Sequence, residues 1–307
     1  MKTYYLPCVL AMSLSISASA ETNLSTADNF LGLTPPTGDE VKMLHPDIIS
    51  TKEGYELNAV FSPDGKEFYF CRVIDDVYRL FRIKLGANGE WSKPERIHLK
   101  QMDEWEIVDP WISPDNQRMY YISNAPTPSF AEKSVNIWVM KRKGNEWGIP
   151  EVLVSPLNSD ANEIYPMPVD SGNIYFNSSR DGGIGSRDIY VIKATDGADQ
   201  AINLGKPVNS EGREGDVFVA PDEKYLIVTS EKEGGYGGAD MYISTRLEDG
   251  SWSDTKNLGT KINSTDHDYT PSVSPDGKYF FFTRGGDIFW TSTEHLGIPS
   301  SKRELLN

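Results

Sequence analysis

Acidic side chains recur at one place in a pattern that repeats along the chain, and basic side chains recur after them. The acids stand where short β-rich segments begin: Glu56, Glu163, Glu214 and Asp268, with Glu106 slightly displaced. Two further acids, Asp109 and Asp216, are expected nearer the central axis around which the repeated segments would be arranged. The bases end the segments that follow: Arg72, Arg180, Lys232 and Arg284. Such a set of carboxylates and bases could bind a sugar, a peptide terminus or a cation such as Ca²⁺. The competing interpretation is structural: each acid caps a loop or pairs with a base of a neighbouring unit.

Other catalytic signals are weak. The histidines are His45, His98, His267 and His295, and only His267 falls beside the acids. The sequence contains no G-x-S-x-G elbow and no HExxH or CxxC spacing. Acids on neighbouring segments could still supply the carboxylate pair of a glycosidase. We therefore expect a non-catalytic protein, with a glycosidase-like enzyme as the alternative.

The stretch from Asp268 to Trp290 shows the element that positions these groups. A Ser-Pro-Asp-Gly turn separates two β-rich segments, and a Gly-Gly turn precedes a third. Proline, aspartate and glycine suit the backbone angles of such turns. Four earlier copies place their turns at Pro63, Pro114, Val169 and Pro221. The copies follow one another at about 53 residues, a period that indicates a repeat architecture.

Each full copy holds four strand candidates, and in three copies the last follows a turn with a tryptophan (Trp91, Trp147 or Trp252). Because these tryptophans hold one register, packing explains them better than ligand stacking does. Four antiparallel strands repeated around an axis make a β-propeller. The last copy lacks its fourth strand, which the unassigned segment 41–50 resembles. We therefore predict an all-β, five-bladed propeller closed by this N-terminal strand.

The topology also predicts which residues share a surface. Successive turns of an up-and-down sheet alternate between its two ends. The Ser-Pro-Asp-Gly turns share one end, the turn face. The segments leading into the inner strands and the Gly-rich loops before the third strands share the other end, the top face. We predict that the ligand-binding residues lie on this top face: Glu56, Asp109, Glu163, Arg180, Glu214, Asp216, Lys232, Asp268 and Arg284.

Several motifs recur along the chain: the SPDGK-aromatic strands, the GG-x-GG-x-D-[IM]-Y loop at 234–242, the W-x2-P-x2-L segments and the N-S segments. Together they resemble the PD40 (WD40-like) repeats of the TolB family and of OmpA-associated proteins. The resemblance covers nearly all of 41–293 and implies a periplasmic or secreted propeller. The chain departs from the family in lacking an OmpA-like domain and in its longer repeat. A six-bladed TolB-like propeller is the alternative fold.

The N-terminus predicts export. Residues 1–20 combine Lys2, an apolar run over 6–16 and a small-residue site at 18–20, which is typical of a signal peptide cleaved after Ala20. We divide the rest into a loose leader at 21–40, the propeller at 41–293 and a tail at 294–307. Once the signal is removed Cys71 is the sole cysteine, and its place on a predicted inner strand indicates a buried small hydrophobe.

Charge narrows the set of partners. The net charge of −15 disfavours nucleic acid and anionic lipid, and the apolar run is too short to span a membrane. We expect a monomer in the periplasm or outside the cell, whose acidic top face recognises an envelope protein, a peptide or a cell-envelope glycan. We expect no required cofactor, with Ca²⁺ as the cation that the acids could hold.

Overall fold

The computed structural model describes residues 31–299 except 53, 100, 101, 131–133 and 198. The predicted signal peptide, and the tail beyond residue 299, lie outside this range. The described chain forms five antiparallel sheets, one for each repeat, with two short 3₁₀ turns at Ala194–Asp196 and Thr293–His295. This is the predicted five-bladed propeller, and the residues that the structure describes form no sixth blade. No helix in the described residues is long and apolar enough to span a membrane.

Four blades run from the axis outward in sequence order, and the fifth takes its outermost strand from the N-terminal segment. The inner strands are β2 (Glu56–Phe61), β6 (Val108–Ile112), β11 (Glu163–Pro168), β15 (Glu214–Val219) and β19 (Asp268–Val273). The second strands are β3 (Glu67–Ile74), β7 (Arg118–Ser123), β12 (Ile174–Ser178), β16 (Tyr225–Ser230) and β20 (Tyr279–Arg284). The third strands are β4 (Val77–Lys84), β8 (Asn136–Lys143), β13 (Asp188–Ile192), β17 (Asp240–Thr245) and β21 (Asp287–Ser292).

The fourth strands are only two residues long: β1 (Lys42–Met43), β5 (Glu95–Arg96), β10 (Glu151–Val152), β14 (Ile202–Asn203) and β18 (Lys256–Asn257). A further two-residue strand, β9 (Glu146–Trp147), also pairs with β8. Short outer strands limit the exposed backbone edge that each blade presents.

The N-terminal segment closes the ring, as predicted. Strand β1 pairs antiparallel with β21, with Lys42 opposite Trp290 and Met43 opposite Phe289. The Leu44 amide then donates to the Ile288 carbonyl at 2.7 Å. The leader is not loose where it is described, because Leu31 is buried in the same apolar cluster as Leu44.

The second strands are covered on both sides, as their apolar sequences predict. In β20, Phe280 and Phe282 pack in one cluster with residues of the preceding blade. The intervening Phe281 packs in another, with residues of the first blade. The predicted packing roles of Trp147 and Cys71 are also confirmed: Trp147 is buried against Tyr69, and Cys71 is fully buried.

Candidate functional site

Four of the predicted acids hold the loops that lead into the inner strands. Glu56, Glu163, Glu214 and Asp268 are completely buried. Each accepts a backbone N–H and a hydroxyl from a serine or threonine four or five residues earlier. For Glu163 these donors are the amide (2.9 Å) and hydroxyl (2.5 Å) of Ser159. Because the loop itself uses the carboxylate, these acids cap loops.

Three of the predicted bases complete the same arrangement. Arg72 Nε lies 2.6 Å from Glu56, and Arg284 Nε lies 2.6 Å from Asp268. Arg180 lies 3.2 Å from Glu163 and donates also to two carbonyls of the same loop. These pairs form within one blade, between its first and second strands. Each base therefore ties a lead-in loop to the sheet.

The fourth base behaves differently. Lys232 donates to the Thr255 hydroxyl and lies 3.7 Å from the centre of the Tyr242 ring. Glu214 is held by Ser210 and Ser230. Burial raises the pKa of Glu214 and lowers that of Lys232.

The second blade lacks this buried acid. The residue that precedes β6 at the acid's position is Ile107, whose amide donates to the Tyr78 carbonyl. Glu106 stands one residue earlier and is partly exposed. Glu106 therefore lies one residue before the position of the capping acids, as its place in the sequence indicates, and it does not belong to the loop-capping set.

The aspartates that begin two of the third strands hold the Gly-rich loops. Asp188 accepts the amides of Ile184 and Gly185, and Asp240 accepts those of Tyr236 and Gly237. These loops lie against the lead-in segment of the next blade.

A bulge in each inner strand brings five side chains toward the axis. The register between the first and second strands shifts at the same place in every blade. The residues at the bulges, which we term the bulge ring, are Asn58, Asp109, Tyr165, Asp216 and Thr270. Four of them have positive φ, between 52° and 65°. This conformation is unusual for Tyr165 and for the β-branched Thr270.

Hydrogen bonds between blades hold this ring. Asn58 and Asp109 exchange two bonds, at 3.1 and 3.2 Å. The Thr270 amide donates to Asp216 at 3.0 Å, and the Tyr165 hydroxyl donates to a carbonyl of the fifth blade at 3.0 Å. Strained residues persist where their surroundings over-determine them, and such residues cluster at ligand sites.

The two aspartates of the bulge ring, Asp109 and Asp216, interact electrostatically. Burial raises the pKa of Asp109, and the charge of Asp216 adds to that effect. Burial also raises the pKa of Asp216, which the Thr270 amide and the charges of Arg187 and Arg213 partly oppose. Two such carboxyls ionise in sequence, as a coupled pair. Of the predicted acids, these two alone lie in the bulge ring.

The axis is filled on its turn-face side. Side chains from all five blades surround a cavity of only 30 Å³ there. Trp111 and Phe218 meet across it, with ring centres 6.0 Å apart. A ligand therefore has room on the axis at the top face.

A pocket of 300 Å³ opens at the top face. It is lined by Tyr55, Ile164, Arg187, Arg213, Gly215, Asp216, Thr229, Glu231, Ala239, His267 and Tyr269. Asp216 is the member of the predicted site that lines it. We term this the axial pocket.

Two arginines are set side by side in the axial pocket by the backbone. Arg187 ends the Gly-rich loop of the third blade, and Arg213 precedes the fourth inner strand. A parallel β-bridge joins the backbones of these two residues. Arg213 is paired with Glu231 at 2.6 Å. The half-buried Arg187 guanidinium forms no hydrogen bond or ion pair with any described residue. Burial and the neighbouring charge of Arg213 lower the pKa of Arg187.

Aromatic rings form the opposite wall. The hydroxyls of Tyr55 and Tyr269 lie 2.6 Å apart. A Cβ on Gly286 would lie 2.6 Å from the Tyr55 ring, and one on Gly238 would lie 2.5 Å from His267. These two glycines therefore make room for the pocket's rings.

One polar group in the pocket also lacks a partner. The Thr229 hydroxyl is buried and has no hydrogen-bond partner among the described residues. A buried hydroxyl without a partner is costly, so this position is a local weak point of the second strand β16. No cluster of three or more metal-ligating His, Cys, Asp or Glu side chains occurs in the described part of the chain.

Comparisons with known proteins identify the fold. No family model matches the chain, and no curated protein matches its sequence. The protein BT0996, solved as an RGII complex, is 12% identical, with a TM-score of 0.54 over 92% of this protein and 97% of that one. This likeness supports the five-bladed propeller.

Two further solved structures have lower TM-scores. An oligogalacturonate lyase in complex with manganese is 12% identical, with a TM-score of 0.43 over 86% of this protein and 96% of that one. The periplasmic gluconolactonase PpgL of Pseudomonas aeruginosa is also 12% identical, with a TM-score of 0.43 over 74% of this protein. The chain spans 64% of the gluconolactonase and 30% of a matched prolyl endopeptidase.

Proposed function

We propose that this protein is an exported, non-catalytic propeller that binds a cell-envelope glycan in the axial pocket. The single observation that carries the proposal is the pocket itself, which is lined by tyrosine rings and by an arginine without a partner among the described residues. A sugar presents hydroxyls around a ring with apolar faces. Tyrosine rings match the apolar faces, and the Arg187 guanidinium and the tyrosine hydroxyls offer polar contacts.

The size and shape of the axial pocket favour a glycan over a peptide or protein. Its 300 Å³ lies at the lower end of the range for small-ligand sites. Peptides are commonly held by a sheet edge or a long apolar groove, and stable protein partners cover about 800 Å² on each side. The fold likeness to BT0996, which was solved as an RGII complex, is compatible with this proposal. The proposal itself rests on the residues that line the pocket.

The glycosidase-like alternative rests on Asp109 and Asp216. A raised carboxyl pKa is the property that a general acid needs. However, both carboxylates accept hydrogen bonds that hold the bulge ring, and Asp216 alone of the two lines the pocket. We therefore propose binding without turnover.

The proposal also covers family and location. The SPDG turns, Gly-rich loops and N-S segments support assignment to the PD40 type. The N-terminal pattern supports export with cleavage after Ala20. Mass spectrometry of protein recovered from cells should find Glu21 at the N-terminus. An intact N-terminus would contradict export.

A glycan screen tests the binding proposal. Wild-type protein should bind at least one envelope-type glycan without consuming it. Tyr55→Ala should weaken that binding, because Tyr55 lines the pocket. Tyr236→Ala is the matched control, since Tyr236 is an exposed tyrosine on the top face outside the pocket lining. Equal affinities of the two variants would count against the axial pocket, and product release would favour the enzyme.

A further inference from the structure

We infer that the glycan bound in the axial pocket carries a carboxylate, and that Arg187 receives it. This inference rests on the proposed function and names the ligand class for the same site. Arg187 lies on the wall of the axial pocket, half-buried, and it makes no hydrogen bond or ion pair with any described residue.

The position of Arg187 in the repeat shows that it is not part of the propeller's framework. The residue there accepts the amide that starts the next inner strand: the Arg187 carbonyl accepts from Glu214 at 3.0 Å. Val135, Ala239 and Gly286 do the same in other blades. Since only the backbone is used, an apolar or small residue suffices. The arginine side chain therefore adds a charge that the fold does not need.

The charges nearby leave Arg187 available to an anion. Arg213 is a second cation beside it and is itself paired with Glu231. Asp109 and Asp216 lie below, but burial and mutual repulsion make full ionisation of both costly. A partly desolvated arginine with only part of its charge offset is unfavourable until an anion arrives. A guanidinium binds a carboxylate through two parallel hydrogen bonds, which makes the match specific.

The tyrosines place this carboxylate on a sugar. A ligand whose carboxylate is bound by Arg187 has Tyr55 and Tyr269 in the lining of the same pocket, with their hydroxyls 2.6 Å apart. These groups suit the hydroxyls and ring of an acidic saccharide. A peptide C-terminus shares the carboxylate but needs no such lining, so it becomes an outcome of the test.

Two sugars that differ only in the carboxylate test the inference. Methyl β-glucuronide and methyl β-glucoside are titrated against the full mature protein by calorimetry or ligand-observed NMR. The glucuronide should bind at least about tenfold more tightly, a difference of about 1.4 kcal/mol, because its carboxylate can form two charge-assisted hydrogen bonds with the guanidinium. Arg187→Gln should remove most of that preference. Arg118→Gln, which removes the same charge from the turn face, should keep it.

Each remaining outcome of these titrations supports or overturns the assignment of the carboxylate to Arg187. If Arg187→Gln unfolds, Arg187→Lys is used, and its glucuronide preference should fall below that of the wild type because the fork of donors is lost. An unchanged preference in either variant overturns the inference. Equal binding of both sugars also overturns it, yet leaves the proposed glycan site standing. Binding of an acetylated tripeptide with a free C-terminus, with no binding of any sugar, overturns the inference and the proposed function together.

Discussion

Closure of the ring can be tested at one residue, Leu44. Its side chain is completely buried and belongs to the apolar cluster that contains Phe281, Ile288 and Trp290 of the last blade. The Leu44 amide is hydrogen-bonded to that blade as well. Leu44→Ala leaves the backbone contact in place and removes the packing. The adjacent Met43→Ala is the matched control, because Met43 is 36% exposed.

The expected effect of Leu44→Ala is large. Replacing a fully buried leucine by alanine costs about 2–5 kcal/mol, from lost burial and from the cavity left behind. For a domain of this size, 1 kcal/mol lowers Tm by about 2–4 °C. We therefore expect a fall of at least about 4 °C. Met43→Ala should change the stability by no more than about 0.5 kcal/mol.

The assay combines thermal unfolding with hydrogen exchange. If the N-terminal segment closes the ring, Leu44→Ala should lower the single transition of the whole propeller and speed exchange of the amides in Asp287–Ser292. If the segment only lies on a ring that is already closed, the two variants should melt together. Equal Tm values would refute the closure argument.

Three further predictions concern the bulge ring, the pocket and the loop-capping acids. Burial raises the pKa of Asp216 to about 6 in the folded state, so the stability that its protonated form contributes is present at low pH and is lost as pH rises from about 4 to about 6. Over that range Asp216→Asn should gain stability relative to wild type, and urea unfolding that shows a constant difference would contradict this. Gly238→Ala should displace His267, shift its imidazole NMR signals and weaken ligand binding with little change in Tm; unchanged signals would contradict the contact. Glu163→Gln should destabilise the protein by about 1–3 kcal/mol, and Glu214→Gln by less, because only Glu163 has a basic partner; equal losses in denaturant titrations would argue against the pairing.

The fold could be predicted from sequence because its signals are local and repeated. Turn residues, apolar runs such as Tyr279–Thr283 and the unassigned segment at 41–50 each pointed to the same topology. The bulges were not predicted. Asn58 and Asp109 tolerate positive φ, but Tyr165 and Thr270 give no such signal. There the contacts between blades impose the conformation.

The candidate site was only partly predictable, because recurrence was read as a sign of function. The recurrent acids Glu56, Glu163, Glu214 and Asp268 are recurrent because each blade needs its lead-in loop capped. The axial pocket is built largely from positions where the repeats differ. The residue just before the acid is Tyr55, Arg213 or His267 in different blades, and all three line the pocket. A search for unlike residues at like positions would also have found Arg187.

The net charge of the protein does not argue against an acidic ligand. At physiological ionic strength charges are screened over about 8 Å, so most of the −15 acts weakly at the axial pocket. Of the carboxylates that line the pocket, Glu231 is paired with Arg213, and Asp216 accepts the Thr270 amide in the bulge ring. The loop-capping acids are buried against their own donors. Arg187 remains the charge without a partner among the described residues. The electrostatic potential at the axial pocket is therefore set by the few residues in which the blades differ. The overall charge of the surface arises mainly from the rest of the propeller.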